Sequence, residues 1–326
     1  MRAVKLMDTR SAGAVMGLAL ALLCAPAARA SVTADLILAL HYWNTDRLNT
    51  TQLANARLLV DAETRRGLRF HLDGDRDQPE EAELYEAYGE WAAGAQRVLL
   101  GRFQVPFGIY NRSELYYVGL VYDPLINYYP FQGPHLGGSA TGLEYVRAMG
   151  EWQVEAALFG HGSDLRALIP TGGEGSIRIQ RYTGRLILGL SGFRGRAGEA
   201  DPGYPGEGRF LGLDFRFSRP PLILRGEVVA GTVARSGAPG AGGSPEGFFL
   251  DALYHPGWLG RVTFVARTEA VRGQPVTGSL FQRETIGLKW EVTRGIVAAV
   301  NQLFEPSRLR SGLHGTTLYV WYTRRL

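Results

Sequence analysis

Residues 208–218 read GRFLGLDFRFS, and their alternation decides the fold. Leu211, Leu213, Phe215 and Phe217 share one parity, while Phe210, Gly212, Asp214 and Arg216 share the other. Successive strand residues point to opposite faces, so a period of two marks a β-strand with one apolar and one mixed face. After Arg219, Pro220 and Pro221 the pattern restarts, with Leu222, Leu224, Gly226, Val228 and Ala230 alternating against Ile223, Arg225 and Glu227. Two long alternating runs across so short a break predict an antiparallel hairpin.

The same reading extended both ways predicts sixteen strands, near 33–42, 54–62, 66–73, 82–91, 96–105, 140–148, 152–160, 175–182, 185–194, 208–218, 221–231, 247–255, 259–269, 282–292, 295–304 and 314–323. The connections alternate in length. Those at 43–53, 74–81, 106–139, 161–174, 195–207, 232–246, 270–281 and 305–313 are long and polar or rich in Gly and Pro. The others, such as Thr183-Gly184, Met149-Gly150-Glu151 and Pro256-Gly257-Trp258, are short. In an antiparallel meander this places the long loops at one end and the tight turns at the other, as in transmembrane β-barrels. Strands of nine to eleven residues also match a tilted bilayer crossing better than a globular sheet. Trp43 on the loop side, and Trp91, Trp152, Trp258, Trp290 and Trp321 on the turn side, read as aromatic girdles. The predicted fold class is therefore all-β: a transmembrane antiparallel barrel of about 16 strands, its long third outer loop constricting the pore. The last strand carries Thr316, Leu318, Val320 and Tyr322 on one parity and ends in Arg324-Arg325-Leu326.

Composition agrees. Glycine makes up 43 of 326 residues, hydrophobic residues 45% and aromatic residues 11%, too apolar for a disordered chain. Arg2, Lys5 and Arg10, an apolar run over 14–23 and the Ala28-Arg29-Ala30 site have the form of a cleaved signal peptide, 1–30. That leaves 31–326 as a single outer-membrane barrel domain, with 106–139 folded inward. Cys24, the sole cysteine, falls in the leader, so the mature chain has no disulfide and no thiolate site. Removing the leader lowers the formal net charge from +4 to +1, which does not indicate a nucleic-acid partner. The mature chain carries thirty arginines and one lysine, Lys289.

A sixteen-stranded barrel leaves an aqueous lumen, and charge on the lipid face costs about 2–4 kcal/mol for Arg at the midplane. Strand parity therefore assigns Arg57, Arg69, Arg102, Arg178, Arg216, Arg225, Arg261, Arg267 and Lys289 to the pore lining. Asp61, Asp73, Glu86, Glu144, Asp214 and Glu227 join them as acidic lining, as do Glu90, Glu155, Asp251 and Glu291. The 34-residue connection 106–139 holds Phe107, Tyr110, Tyr116, Tyr117, Tyr122, Tyr128, Tyr129 and Phe131, more aromatic surface than suits a loop in water. Its Arg112, Glu114, Asp123, Tyr116 and Tyr117 are the candidate constriction residues. Glu114 and Asp123 facing Arg57, Arg69 and Arg102 would set a transverse field across the pore.

At the start of this loop 99–108 read LLGRFQVPFG, after Glu83-Leu84-Tyr85-Glu86-Ala87-Tyr88. This segment resembles the phosphate-selective porin O and P family over 82–110. The resemblance implies a sixteen-stranded, trimeric porin whose third outer loop narrows the channel. Gln104 stands where that family commonly has lysine, and the loop holds one basic residue, so phosphate selectivity is not carried over.

The expected function is passive diffusion of small hydrophilic solutes or ions, anions among them, through an Arg-rich charged lumen. The expected location is the bacterial outer membrane, with the lipid bilayer and lipopolysaccharide as surroundings, and neither cofactor nor metal is called for. Two other classes stay open. One is a barrel hydrolase, for which His41, His71, His161, His255 and Ser163 are candidates although no nucleophile elbow, H-E-x-x-H or P-loop pattern is present. The other is a sheath or scaffold barrel around an electron-transfer or other partner; with no CxxCH motif, haem would arrive with the partner. Asp73-Gly74-Asp75-Arg76-Asp77 starts like a calcium loop, but Gln78 and Leu84 stand where an EF-hand needs Gly and Glu. Divalent binding by this acidic stretch is the weaker expectation and a solvated turn the plainer one.

Overall fold

A computed structural model describes residues 31–45, 48–63, 68–77, 81–109, 118–120, 124–127, 138–160, 173–197, 206–233, 243–272, 280–305 and 313–325. Sixteen strands follow in chain order: β1 (Ser31–Thr45), β2 (Leu48–Glu63), β3 (Leu68–Asp77), β4 (Glu81–Ala93), β5 (Gln96–Gln104), β6 (Ser139–Met149), β7 (Trp152–Gly160), β8 (Glu174–Thr183), β9 (Leu186–Ala197), β10 (Gly206–Arg219), β11 (Leu222–Val233), β12 (Glu246–Tyr254), β13 (Val262–Arg272), β14 (Phe281–Thr293), β15 (Ile296–Glu305) and β16 (Leu313–Arg325). Each pairs antiparallel with its sequence neighbours, and β1 closes on β16 from Asp35 opposite Arg325 to Thr45 opposite Gly315. Closure removes both free sheet edges, so every strand's backbone groups find partners without water.

The burial pattern is inside out relative to a soluble sheet. On β10, Leu211 and Leu213 are 67% and 63% exposed, whereas Phe210, Gly212 and Asp214 on the other parity are buried. Leu100, Leu143, Leu158, Ile177, Leu190, Val228 and Ile286 are likewise exposed, while Asp73, Glu144, Glu227, Asp251, Arg267 and Glu269 are buried. An apolar outer surface with charged groups turned inward is stable where lipid replaces water around the barrel.

At the tight-turn end, Gly94 opens the two-residue β4–β5 link with φ +60, a conformation that costs a residue with a Cβ. Trp91, Trp152, Trp258 and Trp290 are exposed near this end, Trp258 at 80%. Trp321 departs from the expected girdle: it is 4% exposed and packs against Ala299 inside the barrel, because its parity on β16 is that of buried Thr317 rather than exposed Leu318. The β12–β13 link is longer than the short turn expected there and contains a 3-10 turn, Gly257–Leu259.

The first loops differ as well. Strand pairing continues through most of 43–53, with Trp43 opposite Thr317 and Thr50, and through 74–77, with Asp75 opposite Arg57 and Glu83. Polar composition led to a loop expectation there. Backbone pairing overrides composition where the strands extend beyond the apolar band. The Asp73–Asp77 stretch is thus strand, not a turn. Residues 1–30, with their signal-peptide reading, lie outside the described residues.

Candidate functional site: the inner wall and the segment against it

The described parts of the β5–β6 connection lie against the inner wall. Phe107 packs edge-on to Phe193 of β9, ring centroids 6.4 Å apart. The Gly108 N–H donates to Ser191 Oγ at 3.0 Å and the Ile109 N–H to Glu227 Oε2 at 3.1 Å. Further on, Asn301 Nδ2 of β15 donates to the Gly119 carbonyl at 3.0 Å, and the Leu125 N–H donates to Glu269 Oε2 of β13 at 2.5 Å. Gly108 and Gly119 have φ of +66 and +82, and a Cβ would run into Glu227 at the first and Lys289 at the second. Glycine is what lets the backbone approach these wall side chains closely.

This contact explains an interior that is less polar than parity alone predicts. Phe103, Phe159, Phe193, Phe210, Val229, Phe249 and Val271 point inward and are buried with Val105, Phe107, Leu125 and Ile126 of the connection in one apolar cluster. A second cluster joins Val118 and Leu120 to Val265. Those wall positions face protein rather than water, so burial of apolar area stabilises them. No period-two rule reveals which inward positions will be covered in this way.

Several buried charges are paired. Arg225 Nε donates to Asp251 Oδ2 at 2.8 Å, while Arg267 donates from Nε to Oδ1 at 2.6 Å and from Nη2 to Oδ2 at 2.9 Å. The Arg267 guanidinium also lies 5.2 Å from the centroid of Phe249. Arg283 Nε donates to Glu269 Oε1 at 2.6 Å, so Glu269 links a wall guanidinium to the Leu125 backbone. Arg178 Nη2 donates to Asp214 Oδ1 at 2.9 Å. Arg225 and Arg267 therefore face inward as lining residues would, but they are 4% and 3% exposed and locked to Asp251.

The remaining sequence-based candidates fall in several places. Arg102 Nε donates to the Tyr85 carbonyl at 3.2 Å, and Arg69 lies 4.0 Å from Glu63 near the tight-turn end. Arg216 is exposed on β10, opposite Arg225 in register. Lys289 is half-buried on the inner face of β14, beside Gly119 and 4.0 Å from Glu291. Arg261 is not on a strand: it precedes β13 and donates to the Val292 carbonyl at 3.3 Å. Arg57 sits on β2 opposite Ile37 and Asp75. Asp61, Asp73 and Glu86 surround His71, and Glu144 is buried on β6. Arg112, Glu114, Tyr116, Tyr117 and Asp123 lie outside the described residues, as do the loop aromatics Tyr110, Tyr122, Tyr128, Tyr129 and Phe131.

Arg69 and Arg102 do not form a basic wall: Arg102, expected in the lining, stands opposite Ala87 and shares the parity of exposed Leu100 rather than of buried Leu99 and Phe103, so it departs from the expected inward face. They share the β2–β6 sector with Asp61, Asp73, Glu86, Glu90 and Glu144, and the buried guanidinium groups gather instead on β11–β14. Arg283 was missed in the sequence although it shares the parity of Lys289. Glu269 and Asn301 gave no local sign, since their partners are on a segment distant in sequence. Of the hydrolase candidates, His71 bonds Asp61 and Glu86, and His255 Nδ1 lies 3.2 Å from Thr263 Oγ1; His161 and Ser163 are outside the described residues.

No protein-family model and no curated protein matches the sequence. Solved structures do resemble it. An OmpT loop-deletion mutant, an outer membrane protein of Vibrio cholerae, superposes with TM-score 0.67 at 11% identity over 91% of this chain and 100% of that one. An anion-selective porin from Comamonas acidovorans gives 0.66 at 14% identity over 92% and 100%. The outer membrane channel DcaP of Acinetobacter baumannii gives 0.64 at 12% identity over 92% and 98%. The fold is thus that of outer-membrane β-barrels of the porin type. At these identities the likeness concerns architecture alone.

Proposed function

We propose that the chain forms an outer-membrane pore through which small hydrophilic solutes or ions diffuse passively, and that 106–139 narrows it. The observation that carries this reading is the attachment of that segment to the inner wall through Ser191, Glu227, Glu269 and Asn301, on a face that is otherwise rich in charge. Fixing a segment across the lumen sets the width, and charged side chains around the remaining passage set the ion preference. The likeness to an anion-selective porin supports the same reading. Export by removal of 1–30, surroundings of bilayer and lipopolysaccharide, and assembly as a homotrimer belong to it, as does a non-enzymatic role. The specific tie to phosphate-selective porins rests on the 82–110 resemblance.

The test is single-channel recording of the purified chain in a planar bilayer across a potassium chloride gradient, with phosphate added afterwards. Stepwise conductance is expected. The reversal potential reports which sign of charge dominates the passage, and Arg69→Ala, on the inward parity of His71 and Asp73, is expected to move it toward cations. Block by phosphate would bring phosphate selectivity back. A correctly folded barrel that passes no current would sink the pore reading.

A further inference from the structure

On the inner face of β2, β3 and β4, three carboxylates gather around one imidazole. His71 and Asp73 are two residues apart on β3 and so share a face. Asp73 stands directly opposite Glu86 in the β3–β4 register, and Asp61 directly opposite His71 in the β2–β3 register. Like charges directly opposed on an antiparallel pair repel. Asp73 is fully buried and has a further partner, and the Glu86 side chain is 16% exposed and lies against His71. The register shifts between Asp73 and Gly74, an irregularity of the kind that re-aims side chains beside functional sites.

The two ring nitrogens of His71 have different surroundings. Nδ1 lies 2.9 Å from Asp61 Oδ1, and Nε2 lies 3.3 Å from Glu86 Oε2. The ring stacks on Tyr88 with centroids 5.0 Å apart, which fixes its plane. A metal-ligating histidine characteristically donates its other ring N–H to a carboxylate, which sets tautomer and orientation. Asp61 supplies that partner on Nδ1 and leaves Nε2 directed at Glu86. One ligand atom each from His71, Asp73 and Glu86 lies within 4.8 Å of the other two. A set of one imidazole nitrogen and two carboxylate oxygens suits zinc and neighbouring first-row ions, whereas calcium and magnesium take oxygen alone.

We propose that His71, Asp73 and Glu86 bind a divalent first-row transition ion on the inner wall, with Asp61 as the positioning residue for the imidazole. The small exposed parts of the His71 and Glu86 side chains, 12% and 16%, give the ion its entry from the lumen, and water completes its coordination. A divalent ion there would lie between the opposed carboxylates of Asp73 and Glu86. The binding claim stands apart from conduction. Any effect of the ion on current rests on the pore reading above.

The experiment uses the full mature chain folded in detergent, stripped with chelator and titrated calorimetrically with zinc chloride. Binding of one zinc ion per chain is expected, unchanged in Glu144→Gln, lost in His71→Gln, and weakened about 10- to 100-fold in Asp61→Asn. Absence of stoichiometric binding by the wild type, or undiminished binding by His71→Gln, overturns the proposal. Because a variant can fail to fold, zinc-edge X-ray absorption of the loaded wild type gives a second reading. Imidazole scattering with ligands at about 2.0–2.2 Å is expected, and an oxygen shell without imidazole overturns the site. If the barrel conducts, zinc is expected to shift its reversal potential toward anions. A barrel that binds zinc but passes no current supports the site and removes the pore.

Discussion

Two sectors of the inner wall handle buried carboxylates in opposite ways. On β12 and β13 the carboxylates are met by guanidinium: Asp251 takes three hydrogen bonds from Arg225 and Arg267, and Glu269 takes one from Arg283 and one from the Leu125 backbone. On β2–β4, Asp73 and Glu86 oppose each other in register and share their corner with one imidazole. Burial is similar in both, since Asp73 and Asp251 are each 0% exposed. The contrast teaches that the barrel neutralises one sector with its own arginines, where the charges act as structure. The other sector places three carboxylates around one imidazole, the arrangement proposed above to take a cation.

The largest expected effect is in the arginine sector. Asp251→Ala strands two buried guanidinium groups, and removing one partner of such a network costs about 3–5 kcal/mol. Urea unfolding of the barrel in lipid vesicles, followed by tryptophan fluorescence, is the measurement. A loss below about 1 kcal/mol would mean that water reaches Arg225 and Arg267 after all, and the contrast would fail. Next comes Glu269→Gln, which weakens the charge-assisted bonds from Arg283 and the Leu125 N–H. Each is worth about 1.5–3 kcal/mol, so the segment should loosen and single-channel conductance should rise or become noisier. Steady wild-type current would show that the segment is held elsewhere.

Gly108→Ala is smaller. A Cβ at φ +66 costs about 1–2 kcal/mol before its collision with Glu227 is counted. It is expected to raise proteolytic cleavage of the 106–139 connection while leaving the barrel intact, and unchanged digestion would argue against close seating on β11. The smallest effect is in the acidic sector. Glu86→Gln removes one of two opposed carboxylates but also weakens the contact to His71 Nε2, so the metal-free barrel should shift by less than about 1 kcal/mol in the same urea assay. Destabilisation comparable to that of Asp251→Ala would make the two sectors alike.

Much of this architecture was legible before any coordinates. The alternation of Leu211 and Leu213 with Phe210 and Asp214 identified lipid and inner faces, and all sixteen predicted strands have a counterpart. The inward face of Arg225 and Arg267 was legible too, but not their double attachment to Asp251, which depends on registers along β11, β12 and β13 together. The cover over Phe193, Phe210 and Phe249 was illegible in those strands because it comes from the segment after β5. Trp321 shows the limit of composition: its proximity to a strand end suggested a girdle, whereas its parity turned it inward.

Side-chain period and turn spacing are properties of neighbours along the chain. In an up-and-down meander neighbours along the chain are also neighbours in space, so strand number, hairpin pairing and face assignment followed from sequence alone. Contacts between distant segments obey no such rule. The shift after Asp73 that accompanies its place opposite Glu86, and the meeting of Gly108, Gly119 and Leu125 with β9–β15, were decided by the closed barrel, which alone brings those residues together.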